Sequence, residues 1–317
     1  MKSIATLTMN PALDTAYDVD RVFHTHKVRS HGERYEPGGG GINVSRVISR
    51  LGGTARAYYL AGGATGAALD ALLDLHQIVR TRIAIKDHTR VSSAIYERES
   101  GKEYRFVPRG PTVSEAEWRA CVAAIGTIDC DYLVLSGSLP DGVPEDFYSR
   151  VQAIAAQRGT KLILDSSGAA LRSGLANGGL YLVKPSLGEL QDAVGHPLES
   201  PAEIAKAAAA IVERGLAKHV AVTMGHDGAL LASSAGVVRL PAIAVDAKSA
   251  VGAGDSFVAA MVFAIACDRP VLDAFRYGIA AGAAAVLTPG TDLCHPVDID
   301  RLYAAAAIAS SDLGARS

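Results

Sequence analysis

Cysteine is scarce in this chain, which excludes a disulfide-built scaffold. Only four cysteines occur in 317 residues, at Cys121, Cys130, Cys267 and Cys294. None of them forms a C-x-x-C pair, and a chain of this length has enough apolar material to fold without covalent staples. We therefore expect reduced thiols and a cytoplasmic location.

Long apolar runs and an excess of one sign of charge are missing as well. The longest apolar run, residues 257–267, is too short to cross a bilayer. The first ten residues have no extended apolar region of the kind found in signal peptides. A formal net charge of −2 gives no support for nucleic acid or an anionic membrane as a partner. Any binding of anions must therefore be local.

Several familiar motifs are absent, and each absence excludes a class of enzyme. The chain has no G-x-x-x-x-G-K-[ST] loop and no protein-kinase motif set, so it is neither a P-loop NTPase nor a protein kinase. It also lacks a G-x-S-x-G elbow and an H-E-x-x-H helix. No G-x-G-x-x-G follows the first candidate strand, which argues against a dinucleotide-binding enzyme.

Candidate strands and helices alternate along the chain. Strands rich in β-branched or aromatic residues are predicted at residues 4–8, 57–60, 132–136, 161–165, 180–184 and 220–224. Helices are predicted at residues 42–51, 114–125, 144–157, 200–214 and 270–287. This order predicts an α/β fold with a mostly parallel sheet covered on both faces. Ligands on such sheets bind beyond the carboxyl ends of the strands.

Two segments break this alternation. Residues 14–36 and 86–107 contain short strand patterns without helices between them, and the second has a hairpin signal with "ESGK" at its tip. We expect the two segments to form a small β-sheet lid beside a single domain that spans residues 1–317.

A lone carboxylate stands at the start of a hydrophobic helix in "AVGAGDSFVAA", residues 250–260. The simpler interpretation is that Asp255 caps its helix. The alternative is that the free amides of the helix start hold a phosphate while Asp255 removes a proton from the attacking group. The rest of the chain has to distinguish the two.

Three other stretches also allow both a structural and a ligand-binding interpretation. The four glycines of "EPGGGGINVSR" let a ligand approach the backbone before Asn43, although a hinge would have the same composition. Glu189 in "LVKPSLGEL" could hold Mg²⁺ through water, or could only complement the helix dipole. Gly225 and Gly228 fit either a tight hairpin or a loop that faces a nucleotide.

The presumed lid carries cations. Taken singly, Lys27, Arg90 and Arg105 are ordinary surface residues, but together they could converge on one dianion. Histidines at positions 24, 26 and 31 have no partners at the spacing of metal ligands, so no specific metal site is expected there.

In order along the chain, "TLTMNPALD", "EPGGGGINVSR", "SGSLPDGV", "VKPSLGEL" and "VGAGDS" resemble the motifs of the ribokinase-type sugar kinases, the PfkB family. The resemblance covers nearly the whole chain. It implies a ribokinase-like three-layer fold with a β lid, ATP and Mg²⁺ as cofactors, possible K⁺ binding, and a homodimer formed through the lid. Among family members the similarity is greatest to those that phosphorylate fructose 6-phosphate.

The resemblance also implies roles for individual residues. Asp255 would be the catalytic base, with the amides of Gly252, Ala253 and Gly254 as the anion hole. Sugar and sugar-phosphate binding would fall to Asp14, Lys27, Gly39, Gly40, Asn43, Arg90, Arg105 and Ser138. Nucleotide contacts would come from Lys184, Ser186, Thr223, Gly225 and Gly228. Glu189 would hold Mg²⁺ through water, and the backbone at Ser249 and Val251 would hold the monovalent cation.

Two positions depart from the family pattern, since Ser186 replaces an Asn and Ala250 replaces a Thr. We expect both to tune metal or nucleotide affinity. Gly40 fits the kinases of fructose 6-phosphate, whereas 1-phosphofructokinases have Lys there. A 1-phosphofructokinase and a tagatose-6-phosphate kinase remain alternatives, as does a non-catalytic sugar-phosphate sensor built on the same fold.

Overall fold

The strands of the protein form two separate sheets in the computed structural model, which describes the backbone of residues 1–314 and the side chains of residues 1–306. The large sheet has the strand order β13-β12-β11-β10-β9-β8-β1-β4-β5, and the small sheet has the order β3-β2-β6-β7. The strands are β1 Ile4–Thr8, β2 Ala12–Val19, β3 Ser30–Gly38, β4 Ala55–Gly62, β5 Arg80–Ile85, β6 Arg90–Glu97, β7 Lys102–Phe106, β8 Tyr132–Ser136, β9 Lys161–Asp165, β10 Leu180–Val183, β11 Ala217–Thr223, β12 Ala229–Ser233 and β13 Gly236–Leu240.

Helices cover both faces of the large sheet. They are α1 Gly40–Arg50, α2 Gly63–Leu75, α3 Glu115–Gly126, α4 Phe147–Gln157, α5 Gly168–Asn177, α6 Leu187–Val194, α7 Pro201–Glu213, α8 Ala253–Ala266, α9 Val271–Ala285 and α10 Pro296–Gly314. Two buried clusters, one on each face, form the core. The predicted α/β class with a mostly parallel sheet is confirmed.

The centre of the large sheet follows directly from sequence. β1 is buried at every position, its two threonines included, as expected for a strand covered on both faces. It pairs in parallel with β4 and β8, and β9, β10 and β11 continue the parallel run. Their carboxyl ends therefore meet at one edge. The prediction missed β5, the antiparallel pair β12 and β13, and the helices α2 and α5, whereas the helix expected around Glu189 is present as α6.

The small sheet joins two segments that are distant in sequence. β2 pairs antiparallel with β3 and parallel with β6, which in turn forms a hairpin with β7. The observed strands extend the predicted segments slightly, since β2 begins at Ala12 and β3 ends at Gly38. Because β2 directly follows β1 and β3 directly precedes α1, the sheet is fixed beside the edge where the parallel strands end.

Helix α8 is the most deeply buried helix that lines this edge. Its apolar residues face α1 on one side and α9 on the other, and the rings of Phe257 and Phe275 meet edge to face with centroids 5.8 Å apart. The helix begins at Ala253, four residues before the apolar run that marked it in sequence. Such packing holds the first turn of α8 rigidly.

Within residues 1–314, no helix is long and apolar enough to cross a membrane. All four cysteines carry free thiols, and Cys121 and Cys294 are buried. The expectation of unpaired cysteines is therefore met in the structure.

Phe275→Ala should test how much the α8–α9 contact contributes. The ring is fully buried against Phe257, so its loss should lower the free energy of unfolding by about 3–5 kcal/mol. Denaturant unfolding measures the change. Leu75→Ala is the matched control: its side chain is 78% exposed, so its effect should stay within about 0.5 kcal/mol. Equal effects of the two substitutions would contradict the assignment of this contact to the core.

Candidate active site

Two cavities open at the carboxyl edge of the large sheet, and they meet at the first turn of α8. The smaller, about 180 Å³, is lined by residues of the small sheet together with Gly39, Gly40, Asn43 and Asp255. The larger, about 540 Å³, is lined by Ala253, Gly254 and a set of mostly aliphatic side chains. Consecutive residues of a single helical turn therefore face two different cavities.

The backbone at this turn has free amides. Gly252 adopts φ +71°, a left-handed conformation that glycine tolerates without strain. The first hydrogen bond of α8 runs from the Ser256 amide to the Gly252 carbonyl at 2.8 Å. The amides of residues 253–255 thus precede any intrahelical bond, and they carry the partial positive charge of a helix N-terminus. An anion at the junction of the cavities would find these donors unpaired.

Asp255 is partly buried as a residue, with its carboxylate enclosed by protein at this junction, and it does not act as a helix cap. Its Oδ2 accepts a hydrogen bond from Nδ2 of Asn43 at 2.8 Å. Burial and, to a smaller extent, the nearby negative charge of Asp165 raise the pKa of Asp255 to about 7, against the opposing effects of the Asn43 bond and Lys184. A carboxylate with a pKa close to neutrality is suited to accept a proton.

Lys184 forms a buried ion pair with Asp165, a residue that sequence reasoning had placed only at the end of a strand. Nζ of Lys184 lies 3.0 Å from Oδ1 of Asp165. Burial would lower the pKa of Lys184, but its attraction to Asp165 and Glu189 outweighs this and raises it. A Cβ placed on Gly254 would lie 3.7 Å from this ammonium. The cation therefore stands beside the free amides of α8.

Gly39 and Gly40 of the glycine run line the smaller cavity. Neither position has room for a side chain. Gly39 has φ +114°, and a Cβ there would lie 3.0 Å from the Cα of Pro11. A Cβ on Gly40 would lie 2.1 Å from Oγ of Ser136. Gly40 and Gly41 belong to the first turn of α1, which aims Asn43 at Asp255. The interpretation as a ligand loop thus fits better than a hinge.

Asp14 lies opposite, on β2, in the wall of the smaller cavity. Burial raises its pKa to about 6, although Arg90, Arg46 and Arg105 oppose the shift. Gly38 is required next to it, since a Cβ there would overlap the carboxylate at 2.0 Å. A carboxylate in this wall can accept hydrogen bonds from hydroxyl groups.

Arg90 and Arg105 both line the smaller cavity, but they are held differently. Nη1 of Arg90 donates to the Pro108 carbonyl at 3.0 Å, and Nη2 donates to the Asn10 carbonyl at 2.8 Å. Within the part of the chain that the structure describes, the Arg105 guanidinium has no hydrogen-bond or ion-pair partner. Arg105 is therefore the freer of the two to bind an anion.

Two of the predicted sugar-phosphate ligands lie outside this cavity. Lys27 is exposed on the connection between β2 and β3. Ser138 is exposed after β8, where its Oγ accepts a hydrogen bond from Nδ2 of Asn10 at 3.4 Å. Neither residue is part of the wall that Asp14, Asn43, Arg90 and Arg105 share.

The larger cavity contains the turn between β11 and β12. Thr223, Gly225 and Gly228 line it, and the two strands pair antiparallel. The interpretation as a tight hairpin is therefore confirmed, and the hairpin faces a cavity; that it faces a nucleotide stays a prediction. The opposite wall is aliphatic, from Ile243 and Val245 to Ile279 of α9. An apolar slot of this kind suits a flat aromatic ring.

Ser186 and Glu189 form a capping box at the start of α6. The Ser186 amide donates to Oε2 of Glu189 at 2.7 Å, and the Glu189 amide donates to Oγ of Ser186 at 3.3 Å. Glu189 thus serves the helix start, and its negative charge also acts on Lys184. Among the described residues, no three His, Cys, Asp or Glu side chains cluster closely enough to hold a metal by themselves.

Ser249 and Val251 lie on the connection that leads to α8. Ser249 is buried, and its Oγ donates to Oε2 of Glu103, on β7, at 3.4 Å and accepts from the Val251 amide at 3.3 Å. Val251 and Thr291 both line the smaller cavity. The connection therefore ties the small sheet to the turn that holds Asp255.

The chain matches a protein-family model over most of its length. The model described as pfkB family carbohydrate kinase matches residues 7–298. The chain belongs to this family. It is 42% identical to the ATP-dependent 6-phosphofructokinase isozyme 2 of Mycobacterium tuberculosis H37Rv over 306 residues, which cover 96% of this chain and 90% of that protein.

Further comparisons agree with this family. The Escherichia coli K12 protein of the same name is 40% identical over 96% of this chain and 99% of its own length. Crystal structures of Escherichia coli phosphofructokinase-2 with potassium and with fructose-6-phosphate match with TM-scores of 0.93 and 0.91, at 40% and 39% identity, over 97% of this chain and 100% of theirs. The 1-phosphofructokinase of Bacillus subtilis is 32% identical over 89% of this chain and 91% of its own.

Asp255→Asn should make the ligand-free kinase more stable at pH 8. Burial raises the folded-state pKa from 3.8 to about 7, so above pH 7 the native protein carries an unfavourable buried charge that the amide avoids. Between about pH 7 and 4 the folded carboxyl is protonated while the unfolded one is ionised, so the gain fades as the pH falls. We expect about 1–4 kcal/mol at pH 8.

Denaturant unfolding at pH 8, 6 and 4 measures this dependence. Asp20→Asn is the matched control, because the Asp20 side chain is 79% exposed, and it should change stability by less than about 0.5 kcal/mol at each pH. A loss of stability in Asp255→Asn at pH 8, or a gain that does not vary with pH, would contradict the assigned burial of the charge.

Proposed function

We propose that the kinase transfers the γ-phosphoryl group of ATP to the 1-hydroxyl of fructose 6-phosphate. The observation that carries this proposal is the junction of two cavities at the first turn of α8, where Asp255 and Gly252 line the smaller cavity while Ala253 and Gly254 line the larger. The smaller cavity has cations for a sugar phosphate, and the larger has the aliphatic walls that suit a nucleotide base. The names of the relatives at 40–42% identity support this substrate over fructose 1-phosphate.

Asp255 accepts the proton of the attacking hydroxyl in this proposal. Asn43 holds the carboxylate in place, and its pKa of about 7 allows a large ionised fraction near neutral pH. The amides of Gly252, Ala253 and Gly254 and the ammonium of Lys184 stabilise negative charge on the transferring group. Closure of the small sheet over the sugar excludes water, so that the sheet acts as a lid.

The phosphate of the sugar lies near Arg105 and Arg90, and Asp14, Gly39 and Gly40 contact its hydroxyl groups. Arg105 is exposed and Arg90 is partly buried, so both guanidiniums are accessible to an anion, for which arginine offers charged, bidentate hydrogen bonds. Lys27 and Ser138 lie outside the cavity wall, and their role in binding the phosphate remains a proposal that needs movement of their loops or a contribution from another subunit.

ATP and a divalent metal are the cofactors that the family implies. Lys184, Ser186, Thr223, Gly225 and Gly228 fit the nucleotide side of the junction. Glu189 fits a hydrated Mg²⁺, because such ions keep most of their waters and need few carboxylates; when bound, the ion neutralises phosphate charge. The buried connection at Ser249 and Val251 fits K⁺, which would fix the turn before α8.

A homodimer in the cytoplasm is the working form that we propose. Tyr35 and Phe106 are half exposed on the small sheet, in a cross-strand row that runs through Thr15 and Ser93. Aromatic side chains left exposed on a sheet favour pairing with a second copy. The free thiols suit a reducing compartment.

Steady-state kinetics with MgATP and a panel of sugars tests the function. We expect kcat/KM for fructose 6-phosphate to exceed that for fructose 1-phosphate, tagatose 6-phosphate and free fructose by at least about 10-fold, since a site built for one ligand rejects analogues that leave its polar groups unpaired. Asp255→Asn should lower kcat by about 10²–10⁴. A higher kcat/KM for fructose 1-phosphate or tagatose 6-phosphate would assign one of the alternative kinases. Binding without turnover would indicate a sensor.

Arg105→Gln should affect the two substrates unequally. The side chain lines only the smaller cavity, so the KM for fructose 6-phosphate should rise at least about 10-fold through the loss of a charged contact, and the KM for ATP should change less than about 3-fold. Arg56→Gln, an exposed arginine on β4, is the control and should change neither. Equal increases in both KM values would argue against the proposed place of the sugar phosphate.

A further inference from the structure

Arg46 is a fully buried cation in α1, one turn beyond Asn43, and no role for it follows from the proposed reaction. Its side chain is 2% exposed. Burying a guanidinium is costly unless its donors are paired. Nε is nevertheless buried without a partner among the described residues. The buried position of Arg46 must therefore be explained by the hydrogen bonds of its other nitrogens, Nη1 and Nη2.

These donors contact three groups around the glycine loop. Nη1 donates to the Pro37 carbonyl at 3.0 Å and to Oδ1 of Asn43 at 3.4 Å. Nη2 pairs with the carboxylate of Glu36. Nε2 of His76 lies 3.0 Å from the same carboxylate and holds it from the other side. Arg46 thus contacts the carboxyl end of β3 and also the side chain of Asn43, which in turn contacts Asp255.

The contact with Asn43 has a directional consequence. An asparagine amide has an oxygen end and an NH₂ end of nearly equal size, and only the NH₂ end can donate to a carboxylate. A cation at Oδ1 favours the orientation in which Nδ2 points at Asp255, at 2.8 Å. Without that cation, a flipped amide would turn its oxygen toward the carboxylate and repel it.

We propose that Arg46 is a positioning residue, which fixes the Asn43 amide so that it donates to Asp255 and keeps this base ionised and aimed. The inference rests on the proposed function, because it assigns Arg46 to the same proton acceptor. Arg46 acts through Asn43 and does not touch the cavity itself, since it is absent from the residues that line it.

Loss of the contact between Arg46 and Asn43 should change the pH dependence of kcat/KM. The Asn43 bond lowers the pKa of Asp255, and so does Lys184, whereas Asp165 and Asp14 raise it. Around Arg46 itself the charged groups are Glu36, Arg50, Asp292 and Asp14. Weakening the Asn43 bond removes a stabiliser of the ionised base, so the acid limb of kcat/KM should move to higher pH.

Arg46→Lys keeps the charge but not the planar fork of donors. We expect its acid limb to move up by about one pH unit, with kcat/KM about 10-fold lower at pH 6.5 and within about 3-fold of the parent at pH 9. Arg82→Lys, another arginine in an ion pair but distant from the site, should leave the profile unchanged. A loss of equal size at every pH would overturn the proposal.

A double-mutant cycle separates positioning from a merely structural effect. In an Asn43→Ala background, Arg46→Lys should change kcat/KM by less than about 2-fold, because its hydrogen-bonded route to Asp255 has been removed and the charge that acts on Asp14 is kept. An undiminished effect in that background would overturn the proposal. If Arg46→Lys does not fold, Glu36→Gln serves instead: it removes the carboxylate that anchors Nη2, and an unmoved acid limb would again count against the inference.

The same measurements separate this inference from the proposed function. Absence of fructose 6-phosphate phosphorylation by the parent protein would reject the function. A parent enzyme that is active, with an Arg46→Lys profile superimposable on its own, would reject only the role of Arg46.

Discussion

A carboxylate buried at the start of an apolar helix is the constraint on which the site depends. Asp255 can stay there only because Asn43 donates to it and Lys184 offsets part of the surrounding negative charge. Asn43 needs α1 to begin within the glycine run, and α8 needs its apolar surface enclosed by α1 and α9. The close packing of the glycine run and the burial of α8 thus both help to hold the side chain of Asp255 in place.

Charge balance explains the rest of the arrangement. Asp255, Asp165 and Asp14 bring three carboxylates to a small region, and Lys184, Arg46, Arg90 and Arg105 surround them with cations. Most of these cations are already paired with protein groups, which limits the cost of their burial. Among the described residues, the Arg105 guanidinium has no such partner, and the amides at the start of α8 are unpaired donors as well. Anionic ligands would complete the pairing on both sides of Asp255.

Sequence reasoning predicted the fold class, the central strands and the place of Asp255 at the start of a helix, because β-branched strand patterns and a glycine turn before a carboxylate are local signals. The contacts of Asp165 and Arg46 were not predictable in this way, since they depend on which strand ends and helix faces become neighbours. Lys27 and Ser138 were assigned to sugar-phosphate binding through the family resemblance, but neither residue lines the smaller cavity. Glu189 is different: the spacing Ser186-x-x-Glu189 is itself a capping-box signature, which could have been recognised before the structure.

The tight fit of Gly40 against Ser136 limits how this loop can evolve. Any side chain at position 40 would force the Ser136 hydroxyl, 2.1 Å from the new Cβ, to rotate away or be replaced. That hydroxyl donates to Asp165, the partner of Lys184. A mutational path toward a lysine at position 40 would therefore be epistatic. The order of substitutions matters, because a change at position 40 alone would disturb the hydroxyl that supports the ion pair between Asp165 and Lys184.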